Sequence, residues 1–206
     1  MDMSVGVLVW NVRGLNNPAR HSSGRLFLQS CNASLVCFQE SKLAVLDNGT
    51  VGQTLGPAFD GFDFLPAEGT RGWILLAWKS DVLLVSMEHK GEFSMTIKIT
   101  SLADGKEWMV TSVYGPQDNA DKIRFLEEIV EFGRDIQLPW ILNGDFNLVC
   151  SEEERSTHMI NRRLANKFRH TINTMGLHDM PLVGRRFTWC NDQENTVMAR
   201  LDHLLF

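Results

Sequence analysis

The chain has 206 residues with 20 basic and 25 acidic side chains, and its net charge of −5 speaks against a protein that grips nucleic acid by a broad basic surface. That balance still allows one that meets phosphate through a bound cation. A hydrophobic fraction of 44% and a charged fraction of 22% exclude disorder as the main reading, and one domain spanning residues 1–206 is expected, with a core that needs no metal or disulfide to hold it.

Val5 to Trp10 reads as a buried strand, and "NNPAR" then opens a helix to about Cys31, with Pro18 near its first turn where a missing N–H costs nothing. Ser34 to Gln39 is a second apolar strand. From Ala44 to Gly61 the chain is rich in Gly, Thr and Asn, which predicts a loop. Strands follow at Trp73 to Trp78, Val82 to Glu88, and Phe93 to Thr100 with alternating Met95, Ile97 and Ile99. Asp104-Gly105 then signals a hairpin into Glu107 to Tyr114, and this central block is expected to be an antiparallel meander. Ile123, Leu126, Ile129, Val130 and Ile136 recur at helical spacing, and Pro139 marks the next strand. Ser151 with Glu154 has capping-box form, Arg162 to Met175 is a second amphipathic helix closed by Gly176, and "RRFTWC" and "ARLDHLLF" read as final strands. Helices that separate mixed, largely antiparallel strands predict two packed sheets with helices on their outer faces.

No basic leader with a following apolar run is present, and the apolar stretches are strand-sized, so neither a signal peptide nor a membrane span is expected. The expected location is intracellular, nuclear or cytoplasmic. Cys31, Cys37, Cys150 and Cys190 are scattered without CxxC spacing, which predicts neither a zinc site nor a disulfide framework, with Cys31 and Cys37 as core positions.

Polar residues recur where apolar strands end: Asn11 after "LVW", Glu40 after "CFQ", Tyr114 after "TSV", and Asp145 with Asn147 in "NGDFN". Positions i and i+2 of an extended chain face the same side, so Asp145 and Asn147 project together while Phe146 turns into the core. Any one such residue is an ordinary solvated strand end. Five strand ends meeting at one edge would instead surround a cleft with two carboxylates, two amides and a phenol, hard oxygen donors that suit Mg²⁺ and phosphoester cleavage.

"WNVRGLN", "CFQES", "VYGP", "NGDFN" and "RLDHLLF", in this order from Val5 to Phe206, resemble the endonuclease/exonuclease/phosphatase superfamily. "WNVRGLNNPAR", "LVCFQESKL", "GDFNLV" and "GRRFTWCND" are most similar to endonuclease domains of plant non-LTR (LINE) retrotransposons. The resemblance implies an α/β fold, a four-layer sandwich of two mixed β-sheets flanked by helices. It also implies a DNA-nicking phosphodiesterase that uses Mg²⁺, with Mn²⁺ as the alternative ion, and acts as a monomer on DNA. Carried over by position, Glu40 would hold the metal with Asn11 supporting it, Asp145 would take the proton from the attacking water, Asn147 would position the phosphate and Tyr114 would donate to it. Asp202 matches an aspartate that orients a catalytic histidine in a later Ser-Asp-His motif.

That motif does not follow Asp202 in these residues, so the expectation is a domain truncated at its C-terminus, with the C-terminal strand or strands missing, an exposed sheet edge, and impaired activity. Losing a positioned acid or base lowers rate by about 10²- to 10⁴-fold. His203 does not fill the gap, because the residue after Asp202 points to the opposite side of its strand. The other five histidines have no matching motif and are expected to be structural or solvated. Arg13 stands where several family nucleases carry an acidic or polar residue and is a weak candidate phosphate contact, as is Arg71 in "RGWILLAW". Ala199 replaces the bulky aromatic of apurinic/apyrimidinic endonucleases, which argues against abasic specificity, and Arg200 reads as a strand-end or phosphate-facing cation. Trp73, Trp78 and Trp108 lie among apolar neighbours and are read as core. Two other readings remain open: a small-phosphoester or phosphoinositide phosphatase, and a non-catalytic remnant that binds metal or nucleic acid.

Overall fold

The structure, a computed structural model, describes residues 5–14, 25, 27–28, 30–41, 47–66, 73–191 and 193–206. The first sheet contains β1 (Val7–Asn11), β2 (Leu35–Gln39), β3 (Gly61–Leu65) and β4 (Ile74–Trp78) in the order β1-β2-β4-β3, with β1 and β2 parallel and the other pairs antiparallel. The second contains β5 (Leu83–Lys90), β6 (Ser94–Ser101), β7 (Glu107–Tyr114), β8 (Trp140–Asp145) and β11 (Asp202–Leu205) in the order β11-β8-β7-β6-β5, where only β7 and β8 run parallel. β9 (Trp189–Cys190) and β10 (Met198–Ala199) form a separate short ribbon.

Three apolar layers hold the sheets and helices together. Between the sheets, Leu35, Cys37, Ile74 and Leu76 meet Leu83, Met95, Ile97, Ile99 and Val110. The alternate residues Val36, Phe38, Leu75 and Ala77 face outward against Leu28, Val51, Leu55 and Phe59. With both faces covered, β2 and β4 read as unbroken apolar runs rather than as alternating ones. Over the outer face of the second sheet lie α2 (Asn119–Gly133) and α3 (Arg162–Thr174), whose Phe125, Leu126, Ile129, Leu164, Phe168 and Ile172 pack on Val113, Leu142, Phe146 and Leu205. The result is the expected four-layer α/β sandwich. Asp118 caps α2 by accepting from the N–H groups of Ala120 and Asp121, and Asn161 caps α3 by accepting from Leu164. Among the described residues no helix is long and apolar enough to cross a membrane.

Several expectations are corrected. The stretch read as loop contains α1 (Asn48–Leu55), which two glycines and two threonines hide from a propensity reading. Asp47 starts it by accepting from the Thr50 N–H at 2.7 Å, and burial of Val51 and Leu55 holds it in place. "GFDFL" is the strand β3, which the sequence reading passed over. The meander is confined to β5, β6 and β7, because β4 crosses into the first sheet, where β2 and β3 bond both its edges. No capping box forms: Glu152–Glu154 is a single 3-10 turn without a side-chain bond from Ser151 at its cap, and Glu154 accepts from the backbone of Cys150 instead. The C-terminal strand presents no bare edge at β11, since residues 178–180 pair along its outer side. There the Phe206 and His178 N–H groups donate to each other's carbonyls and Met180 donates to Leu204. Of the N-terminal helix, residues 15–24, 26 and 29 lie outside the described residues, while Arg25, Phe27, Leu28 and Ser30 are helical.

Candidate active site

Topology explains why the strand-end residues meet. β1 runs parallel to β2 with Asn11 opposite Gln39, so Asn11 and the following Glu40 emerge at the same end. β7 runs parallel to β8 with Tyr114 opposite Asp145, and antiparallel β11 places Asp202 opposite Asp145. Packing the two sheets face to face brings these ends together.

The Asn11 amide lies between two carboxylates, its Nδ2 donating to Glu40 Oε1 at 3.1 Å and to Asp145 Oδ2 at 2.8 Å. The Tyr114 hydroxyl donates to the same Glu40 oxygen at 3.0 Å. Asn147 donates its backbone N–H to Asp145 Oδ1 at 2.9 Å, and its side-chain Nδ2 donates to the Gly115 carbonyl at 2.7 Å. Arg13, Glu40 and Asn147 all have left-handed backbone, with φ of 47°, 53° and 50°. Strain of this kind persists only where the surroundings enforce it, and three instances at one site mark a built constellation.

Burial first, and then the nearby charges of Asp202 and Glu40, push the Asp145 carboxyl up to about 7 against the hydrogen bonds from Asn147 and Asn11. Asp202 is raised as well, first by burial, with the Thr188 hydroxyl, Arg185 and Arg13 opposing. Burial and the Glu40 carboxylate keep Tyr114 protonated far above its ordinary range.

A cleft of about 940 Å³ opens beside these groups, running from Asp145 and Asp202 past Arg13 and Arg185 to Trp10, Phe187 and Trp189. The structure thus brings Asn11, Glu40, Tyr114, Asp145, Asn147 and Asp202 together, with Arg13 on the cleft wall. Arg71 lies outside the described residues. Arg200 faces no phosphate site, because its guanidinium donates to Asp179 at 2.7 Å and pairs with Glu154 at 3.6 Å. His203 is buried on the far side of β11 and bonds Asp179 at 2.9 Å. Residues that sequence reasoning missed include Arg185, Phe187 and half-buried Lys122, whose ammonium burial pushes down while Asp145 opposes. The signal for the first two was present in "GRRFTW", an arginine pair followed by aromatics.

Residues 8–206 match the model of the endonuclease/exonuclease/phosphatase family. The chain belongs to this family. Among solved structures, the endonuclease domain of TRAS1, a telomere-specific non-LTR retrotransposon, is 16% identical with a TM-score of 0.71, covering 98% of this chain and 84% of that one. AP endonuclease LMAP from Leishmania major is 16% identical at a TM-score of 0.70, over 97% of this chain and 78% of that one. The mannosyl-6-phosphatase Bt3783 of Bacteroides thetaiotaomicron is 16% identical at 0.62, over 98% and 85%. At such identities the likeness is one of fold.

Endonuclease/exonuclease/phosphatase enzymes are hydrolases that generally depend on a divalent metal. The donors of this chain fit such an ion: Glu40 and the Asn11 amide carry hard oxygen donors, and the Glu40, Asp145 and Asp202 carboxylates gathered here supply the negative charge a cation would neutralise.

Proposed function

We propose that this chain is a Mg²⁺-dependent phosphodiesterase of the DNA-nicking type used by LINE-retrotransposon endonucleases. The observation that carries the reading is the single amide of Asn11 bonded to both Glu40 and Asp145 at the mouth of a cleft walled by Arg13 and Arg185. Glu40 and Asn11 would hold the ion, which supplies charge neutralisation at the phosphate. Asp145, raised to about 7 by burial and carboxylate neighbours, accepts the proton of the attacking water at its carboxylate. Asn147 fixes that carboxylate through its backbone N–H and positions the phosphate beside it. Tyr114, kept protonated, donates to the phosphate or to Glu40, and Asp202 holds the charge next to Asp145.

A supercoiled-plasmid nicking assay tests this, run with Mg²⁺, with EDTA, and on Asp145→Ala. The expected outcome is nicking that needs the metal and falls by about 10²- to 10⁴-fold in the variant. Nicking that survives EDTA or the substitution, or none at all from folded wild type, would overturn the proposal. Turnover of a soluble phosphoester without nicking would replace it with a small-phosphoester phosphatase.

A further inference from the structure

We propose that Cys150, Glu154 and His203 form a second metal centre, for a borderline ion such as Zn²⁺, on the side of β11 opposite Asp202. The Cys150 sulfur, a Glu154 carboxylate oxygen and a His203 ring nitrogen lie within 4.8 Å of one another. Tetrahedral zinc, with bonds of about 2.0–2.3 Å, needs its ligand atoms roughly 3.5 Å apart, so side-chain rotation of about an ångström closes the site. Glu154 is already held, its carboxylate accepting from the Cys150 N–H and pairing with Arg200 at 3.6 Å, so Cys150, half-buried in the loop after β8, supplies that movement.

His203 is the fixed member. Its ring packs edge-on against Phe146 and Phe168, and Asp179 Oδ2 bonds its Nδ1 at 2.9 Å. A carboxylate behind a histidine is the outer-shell arrangement that orients a ligating imidazole. Its other nitrogen makes only a 3.3 Å contact with the Leu148 carbonyl.

Charge favours a divalent ion as well. With Cys150 as thiolate and a ligating imidazole uncharged, Glu154 and Asp179 add two negative charges and Arg200 and Arg169 two positive, leaving one negative charge for the ion to offset. The thiol gives its proton to solvent as the sulfur–metal bond forms. A mixed sulfur, nitrogen and oxygen donor set selects zinc-like ions over Mg²⁺, so this centre and the oxygen cluster at Glu40 take different metals. Its bound ion would clamp the segment after Asn147 to β11, bracing Asp145 and Asp202 from behind. The spacing of the cysteines gives no hint of it, because the ligands meet only through the pairing of β11 on β8.

The test is titration of the chelator-stripped chain with Co²⁺ in excess Mg²⁺, followed by Zn²⁺ competition. We expect one Co²⁺ per chain with a thiolate-to-cobalt charge-transfer band that Zn²⁺ abolishes. The band should vanish in Cys150→Ser, persist in Asp145→Ala, and need about 10- to 100-fold more Co²⁺ in Asp179→Asn. Zn²⁺ should raise the melting temperature of wild type and leave that of Cys150→Ser unchanged. A folded wild type without the band, or a band retained in Cys150→Ser, would overturn the proposal.

Discussion

Asn11 holds two carboxylates with one amide, and Tyr114 adds a second donor to Glu40. These bonds orient the Glu40 carboxylate, which the proposed function makes a metal ligand. In Tyr114→Phe the hydroxyl is lost and the ring stays, so we expect the fold to persist while Mg²⁺ affinity falls by about 10- to 100-fold, the usual cost of removing an outer-shell partner. Titration with Mg²⁺ by calorimetry checks this, and unchanged affinity would show that Tyr114 does not support Glu40. The site was legible in the sequence at this scale because polar residues ending apolar strands leave a one-dimensional trace. Thr188 left none: its hydroxyl accepts from the N–H groups of Leu201 and Asp202 only because the segment carrying β9 and β10 folds back there.

Elements with a strong period were readable, and those held by context were not. β6, with Met95, Ile97 and Ile99 turned between the sheets, and α2, with Phe125, Leu126 and Ile129 turned inward, follow from periodicity alone. α1 depends on one cap and two buried apolar side chains, Val51 and Leu55, and the transfer of β4 to the first sheet depends on pairing with β2 and β3 that no local pattern encodes. Contacts between elements are where stability can be probed. Glu128 of α2 accepts from the N–H groups of Glu92 and Phe93 and from the Ser94 hydroxyl, tying the β5–β6 turn to the helix. Glu128→Ala removes a charged acceptor from this turn and should destabilise the fold by about 2–3 kcal/mol, read as a lower urea midpoint. A second probe is Gly144, whose φ of 130° and closeness to β7 leave no room for a side chain, since a Cβ would sit 2.1 Å from the Val113 carbonyl oxygen. Gly144→Ala should therefore lose folded protein outright or unfold at markedly lower urea, and a near-neutral effect would mean that β7 and β8 are not packed as described.

At the scale of the whole molecule, the site makes the metal-free protein sensitive to pH in an unusual direction. Most shifted carboxylates here are exposed and lowered, as Asp104 is to about 2 by Lys106 and Ser101, so they add stability that is lost only as pH falls toward their folded values. Asp145 and Asp202 are shifted the other way, above the ordinary value of about 3.9, chiefly by burial. Between about pH 4 and the Asp145 value of about 7, the folded chain keeps protons that the unfolded chain has released. Stability from Asp145 is therefore greatest at the acid end of that window, declines as pH rises through it, and is lost by its upper end, a change on the order of a few kcal/mol, with Asp202 adding in the same direction. On the proposed reading a divalent ion at Glu40 would replace the proton as the neutralising charge, so Mg²⁺ should flatten the decline. Urea denaturation at about pH 5.5 and about pH 8 in EDTA isolates the effect when wild type is compared with Asp145→Asn, which carries no charge at either pH. The stability difference between wild type and variant should shift against wild type at the higher pH in EDTA and shrink when Mg²⁺ is present. A difference independent of pH would mean that Asp145 is already ionised across the window, and that the strand ends hold their carboxylates without the strain of crowded charge.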